Sequence, residues 1–140
     1  MPLSFGFFSD PALTTPISAR LQFVQDVAAP SAADKCIYFG SPLPGRVCKA
    51  ASVPGVDPVT VSVSDASPGT GSPAGDVKLA LSSGGLAAAT GGAALSLPAT
   101  VASGVAAAIA IHIRVLDSTG SSGVHVDLGL TTNALKEYTA

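Results

Sequence analysis

The chain has no tryptophan, a single methionine, a single glutamate and only two cysteines, and its charged residues make up 11%, against a usual quarter. Each shortage excludes something. Seven basic and nine acidic residues, scattered singly for a net charge of -2, form no stripe that would neutralise phosphates, so nucleic acid is not an expected partner. No stretch approaches the roughly 20 apolar residues that span a bilayer. The longest, Val105 to Ile111, is mostly alanine and runs into His112 and Arg114, so membrane insertion is not expected. A secretion signal is not expected either, because no Lys or Arg precedes Arg20 and Asp10 cuts the apolar start short. A surface with so little Lys and Glu has little charge to keep copies apart, which suits a protein covered by neighbours.

What is present is a strand-and-turn vocabulary: Gly 15 and Pro 11, with Val, Ile, Thr and Ser in short runs. At 140 residues, one domain with one core is expected. Apolar residues recur at period two, the mark of half-buried strands. Ile17, Ala19, Leu21 and Phe23 share a face, and "CIYFGS" and "RVCKAAS" read as strands on either side of "PLPG". "VTVSVS" points Val59, Val61 and Val63 inward, and "VKLALS" does so with Val77, Leu79 and Leu81. "LSLPATV" is edge-like, because Pro98 cannot donate to a ladder. "AIAIHIRVLD" buries Ile109, Ile111, Ile113 and Val115, and "VHVDLGL" buries Val124, Val126, Leu128 and Leu130. Glycine pairs bracket Ala87 to Ala89 too closely for a stable helix. Seven or eight short strands at this spacing predict an all-β, antiparallel two-sheet sandwich of immunoglobulin-like (Ig-like) type, with a small jelly roll or barrel as the alternative. The strict immunoglobulin signature is missing, since there is no Trp and the two cysteines lie twelve positions apart.

Residues 1–16 read as an extended N-terminal arm, 17–132 as the sandwich and 133–140 as a polar C-terminal tail. Three of the five phenylalanines, Phe5, Phe7 and Phe8, sit at the start, followed by the extended link "DPALTTP". Alternation puts Phe5 and Phe7 on one side and Phe8 on the other. The expectation is that the three anchor the arm in a neighbouring subunit, adding a strand to its sheet edge. The competing reading is a lid folded onto the chain's own sandwich.

Cys36 and Cys48 flank "IYFGSPLPGRV". If "PLPG" closes a hairpin centred near Pro42, the two face each other at a separation that a disulfide spans. Three outcomes stay open: two small buried thiols, a bridge formed after release into an oxidising medium, or an incomplete metal site. His112 and His125 are expected on strands paired through the 117–123 turn, with Arg114 and Asp127 on the same outward face. Such a row reads as cross-strand polar pairs rather than a metal or acid/base site. Asp34, Asp57, Asp65, Asp76 and Asp117 fall at turns, where aspartate closes the backbone. No calcium-loop pattern, phosphate cradle or nucleophile elbow occurs. Neither enzymatic activity nor a metal or cofactor is expected.

From about residue 17 onward, "CIYFGSPLPGRVCKAASVPGVDPVTVSVSDASPGTG", "DVKLALSSGGLAAATGGAALSLPATVASGVAAAIAIHIRV" and the "LGLTTNAL" ending resemble small Ala/Gly/Ser/Thr-rich structural proteins of tailed bacteriophages. These are the Ig-like modules of tails, baseplates or capsid surfaces, and the likeness is one of texture and strand order over most of the chain. It implies a virion protein made in the host bacterial cytoplasm, present in many copies, joined to other virion structural proteins and to copies of itself, with no catalytic residues. Tail or baseplate is the first expectation and capsid decoration the second. A bacterial surface or adhesin Ig-like module and a carbohydrate-binding module are the other classes. The last would want exposed aromatics to stack on sugar rings, and only Tyr38 and Tyr138 supplement the phenylalanines.

Overall fold

The computed structural model describes residues 3–17, 21, 23, 31–66, 73–116 and 128–140. Their ten strands are β1 (Gly6–Phe8), β2 (Ala33–Gly40), β3 (Arg46–Ala50), β4 (Thr60–Asp65), β5 (Val77–Ala80), β6 (Leu95–Ser96), β7 (Thr100–Ala102), β8 (Ile109–Val115), β9 (Leu128–Thr132) and β10 (Leu135–Thr139). The described residues contain no α-helix, only short 3-10 turns such as Gly84–Leu86. All pairings are antiparallel, in three sheets ordered β1-β2-β8-β5, β10-β3-β7 and β6-β4-β9.

The two three-stranded sheets are halves of one layer. β6 leads into β7 and β9 into β10 across two or three residues, while β3 and β4 are joined through the turns at 51–59, and each half keeps the same neighbours: β9 and β6 flank β4 as β10 and β7 flank β3. Counting each such row once gives, among the described residues, three strand positions and the four of the first sheet, the seven strands of a two-sheet sandwich. Proline explains the split. Pro58 and Pro98 have no amide to donate at the point where the rows break. The Asn133 side chain takes over there, accepting from the Thr60 amide at 2.9 Å and donating to the Pro58 carbonyl at 3.1 Å. Leu97 donates to the Val59 carbonyl at 2.7 Å and stitches the remaining row across the gap.

Period-two residues from both layers meet in a single core. Phe39, Val59, Val61, Ile111 and Ile113 are essentially inaccessible, and Val63, Ile109, Val115, Leu128 and Leu130 pack partly buried around them. Fully burying a Val, Ile or Phe side chain contributes about 1.5–3 kcal/mol. These are the inward faces expected for "VTVSVS", "AIAIHIRVLD" and the end of "VHVDLGL". Ile17, Leu21 and Phe23 also pack against the core, while most of the strand expected there lies outside the described residues, as do Val124 and Val126. Gly91 fits only as glycine: a Cβ there would stand 2.0 Å from the Gly75 carbonyl oxygen.

Several expectations are corrected. "PLPG" does not close a hairpin. β2 pairs with β1 and β8, β3 with β10 and β7, so the chain arches from one layer to the other. Pro42 and Pro44 bar amide donation next to the turn, and Gly45, at φ 68, redirects the strand. β8 lies between β2 and β5, while β9 pairs with β4, so the expected partnership of β8 with the following strand is not formed by the described residues. β5 ends at Ala80, leaving Leu81 half exposed rather than inward. The last eight residues are not a tail apart from the sandwich, because β10 pairs with β3 over all five of its residues. Nor are residues 1–16 a separate arm: β1 is the edge strand of the four-stranded sheet.

Candidate functional site

The phenylalanines expected to seek a partner are housed at home. Gly6, Phe7 and Phe8 pair with Gly40, Phe39 and Tyr38. Phe5 and Phe8 are buried and Phe7 is half-buried. The rings of Phe5 and Phe7 lie 6.1 and 5.6 Å from that of Phe39, both tilted, within the range of favourable aromatic pairs. Phe8 pairs opposite Tyr38 and so faces the other side of the sheet, as alternation requires. There the chain turns back: Phe8 bridges to Pro16, the Ile17 amide donates to the Phe7 carbonyl at 2.9 Å, and the Leu13 side chain is buried beside Gly40. In the single chain the lid, not the free anchor, is what forms.

A polar latch ties this segment to the other end of the chain. The Ser4 amide and hydroxyl both donate to Glu137 Oε1, at 2.8 and 2.6 Å, and Arg46 Nη1 donates to Glu137 Oε2 at 3.2 Å. With the Ser4 proton so used, the Ser41 hydroxyl, 2.6 Å away, is the donor to Ser4, and Ser41 in turn accepts from the Leu43 amide at 3.2 Å. Ser41 is fully buried and the Glu137 side chain is 5% exposed. Burial pushes the Glu137 carboxyl up. The Ser4 hydroxyl and amide, the Arg46 guanidinium and the Phe5 amide outweigh it, holding the group below its ordinary value. The chain's only glutamate thus closes its two ends on each other. Sequence reading missed this, although a lone Glu at an alternating position in a charge-poor chain was a visible signal.

The latch borders exposed apolar surface. Leu3 and Tyr138 line a groove of about 280 Å³ along β10, together with Leu135 and Lys136. Leu43 follows the arch, and Val105 follows Gly104, whose amide donates to the Ser41 carbonyl at 2.8 Å. Leu3, Leu43, Val105 and Tyr138 are 43, 45, 54 and 37% exposed. Tyr138 also carries the Lys49 ammonium 5.3 Å above its ring.

The remaining candidates are not brought together. Cys36 and Cys48 are free thiols in different layers, Cys36 registered with His112 and Cys48 with Val101 and Glu137. A bridge across a hairpin, one of the three outcomes left open, therefore has no hairpin to span. Cys48 is fully buried, and burial, with the Glu137 charge nearby, pushes its thiol up to about 11. Cys36 Sγ lies 3.9 Å from His112 Nε2 on the outward face. Arg114 forks onto Asp34 at 2.8 and 2.9 Å, a cross-strand pair between β8 and β2. His125 and Asp127 lie outside the described residues. Among the described residues, no three His, Cys, Asp or Glu groups lie together as a metal site would need, and no helix is long and apolar enough to cross a membrane. The chain matches no protein-family profile, no curated protein and no solved structure.

Proposed function

We propose that this chain is a non-enzymatic structural module that works by assembling with copies of itself and with other structural proteins, as a virion component of a tailed bacteriophage. Tail or baseplate is the first location and capsid decoration the second. One observation carries the reading: a sandwich with 11% charged residues leaves Leu3 and Tyr138 exposed along one groove beside the Ser4 to Glu137 latch, with Leu43 and Val105 exposed in the segments that adjoin the Ser41 contacts. Exposed large apolar side chains beside a polar groove suit an interaction face, and tyrosine is among the residues enriched at such faces. Glu137 is engaged by Ser4 and Arg46, and Asp34 by Arg114, an arrangement that suits a structural role.

The test has two arms. Light scattering coupled to size exclusion is expected to find oligomers of the wild-type chain that Val105→Asp together with Leu43→Asp dissociates without unfolding. Mass spectrometry of separated tail and capsid fractions is expected to detect the chain in tails. A wild-type chain that stays monomeric at millimolar concentration and is absent from both fractions would overturn the reading.

A further inference from the structure

The segment bearing the phenylalanines is held by groups from the rest of the chain: Phe39 against Phe5 and Phe7, Ser41 and Glu137 around Ser4, and the β2 ladder. Only residues 9–16 join it to the body. Apart from Leu13 and the half-buried Asp10, that turn is exposed. Local bonds close it. The Asp10 carboxylate accepts from the Thr14 and Thr15 amides at 3.1 and 2.9 Å and from the Thr14 hydroxyl at 2.5 Å, and Ser9 donates to the Thr15 carbonyl at 3.0 Å. Leu13 sits at φ 55, a left-handed conformation that costs a bulky L-residue steric energy. Pro11 and Pro16 bias the residues before them toward extended backbone. Straightened, residues 9–16 reach on the order of 25 Å, enough to cross onto an adjoining copy.

Resting on the reading of the protein as a self-assembling module, we propose that residues 3–8 exchange between copies of this chain. The segment of one copy takes, in its neighbour, the slot it fills at home against Phe39, Ser41 and Glu137. Exchange keeps the contacts with β2 and the latch and releases Leu13 from its left-handed backbone. It gives up the bond from Ile17 to Phe7, the bridge from Phe8 to Pro16, the exposed turn bonds that water replaces, and the burial of Leu13. That last loss favours the closed single copy in dilute solution, and mass action favours exchange as concentration rises. A strained short hinge is the feature that invites such swapping.

A cysteine trap reads the exchange directly. Ser4→Cys and Ser41→Cys are introduced where the hydroxyl oxygens stand 2.6 Å apart, close to the roughly 2 Å span of a disulfide, in a chain carrying Cys36→Ser and Cys48→Ala. After oxidation and denaturation without reductant, dilute samples are expected to give single chains. Concentrated samples are expected to give covalent dimers and larger species, at least tenfold enriched, and adding Leu13→Ala should move that change to lower concentration. Should the trapped chain fail to fold, isotope-filtered NMR on mixed labelled and unlabelled wild-type chain is expected to show contacts between the Phe39 ring of one copy and the Phe5 and Phe7 rings of another. Self-association by light scattering, with every disulfide within one copy or with an empty filtered spectrum, overturns exchange and leaves the assembly reading standing. A chain that is monomeric at millimolar concentration overturns exchange, and one that is also absent from the tail and capsid fractions overturns both.

Discussion

Truncating Phe5 to alanine measures whether the N-terminal segment belongs to the fold. Phe5 is 7% exposed, is a member of the principal core and lies 6.1 Å ring to ring from Phe39. Removing a buried phenylalanine side chain costs about 3–5 kcal/mol, and the edge of a sheet, where the backbone can relax, favours the lower figure. With an unfolding entropy of about 2.1 cal/mol/K per residue, a chain of 140 residues loses roughly 3–4 °C of Tm per kcal/mol, so Phe5→Ala should lower Tm by about 10 °C. Urea denaturation followed by far-UV circular dichroism at low protein concentration should show the midpoint moving with the slope unchanged. A double-mutant cycle with Phe39→Leu should return a coupling of about 0.5–1.5 kcal/mol, the worth of an aromatic pair. A loss below about 0.5 kcal/mol for Phe5→Ala, the range of ordinary surface substitutions, would mean that the segment is free in solution and would refute its place in the core.

Glu137→Gln keeps the shape of the latch but removes the charge that Ser4 and Arg46 address, and should cost about 1–3 kcal/mol at neutral pH. Because the carboxyl is held lower in the folded chain than in the unfolded one, its stabilisation is full above the ordinary value of 4.5 and is lost as pH falls through the folded value. The gap between wild type and variant should therefore close on acidification, and a gap that stays constant from pH 7 to pH 2 would contradict the assignment. Titration with a thiol reagent should count one reactive cysteine in the native protein, the half-buried Cys36, and two after denaturation without reductant. The buried Cys48, its thiol pushed up to about 11, should stay silent until unfolding. Finding no thiol in the denatured chain would show a bridge instead.

The alternating runs made most of the strands legible, because in a two-layer fold each strand has one wet and one dry face, and period two follows from that alone. Val59, Val61 and Val63, or Ile109, Ile111, Ile113 and Val115, point inward for this reason. The separation of Phe5 and Phe7 from Phe8 was legible on the same ground. Partner choice was not, because the pattern along a strand is the same whichever neighbour it pairs with. The arch between β2 and β3 illustrates this: "PLPG" reads as a reversal, and a reversal of direction serves a hairpin within one sheet and a crossing between sheets equally well. The deciding signal was chemical. Pro42 and Pro44 remove amides that a tight hairpin would use, and the short hairpin turns favoured by strand twist call for residues such as Asn-Gly that are absent here. Ending β5 at Ala80 escaped for another reason. The Leu81 position continues the period, but hydrogen bonding to β8 stops at the pairing of Ala80 with His112, and hydropathy does not report where a ladder ends.

The latch bears on why a chain so poor in charge spends a buried ion pair at all. A glutamate with 5% of its side chain exposed is stable only where donors replace the water it has lost, and here two of them come from Ser4, beside Phe5. An apolar residue at 137 would pack against the core as Leu135 does, but it would accept nothing from the Ser4 amide, and the segment would be held by aromatic burial and the short ladder to β2. Aromatic burial tolerates sliding along a strand, because neighbouring rings offer similar contacts. A carboxylate receiving an amide, a hydroxyl and a guanidinium in one place does not. Glu137 therefore contributes register as well as stability: it fixes which residue of the N-terminal segment lies beside the C-terminal strand, and with it the pairing of Leu3 and Tyr138 along the groove. Slippage of β1 by one residue would put Phe7 outward and Phe8 inward, so Glu137→Leu is expected to leave the core folded while broadening the NMR signals of residues 4–8, whereas a single sharp set for those residues would assign the register to the aromatic rings alone.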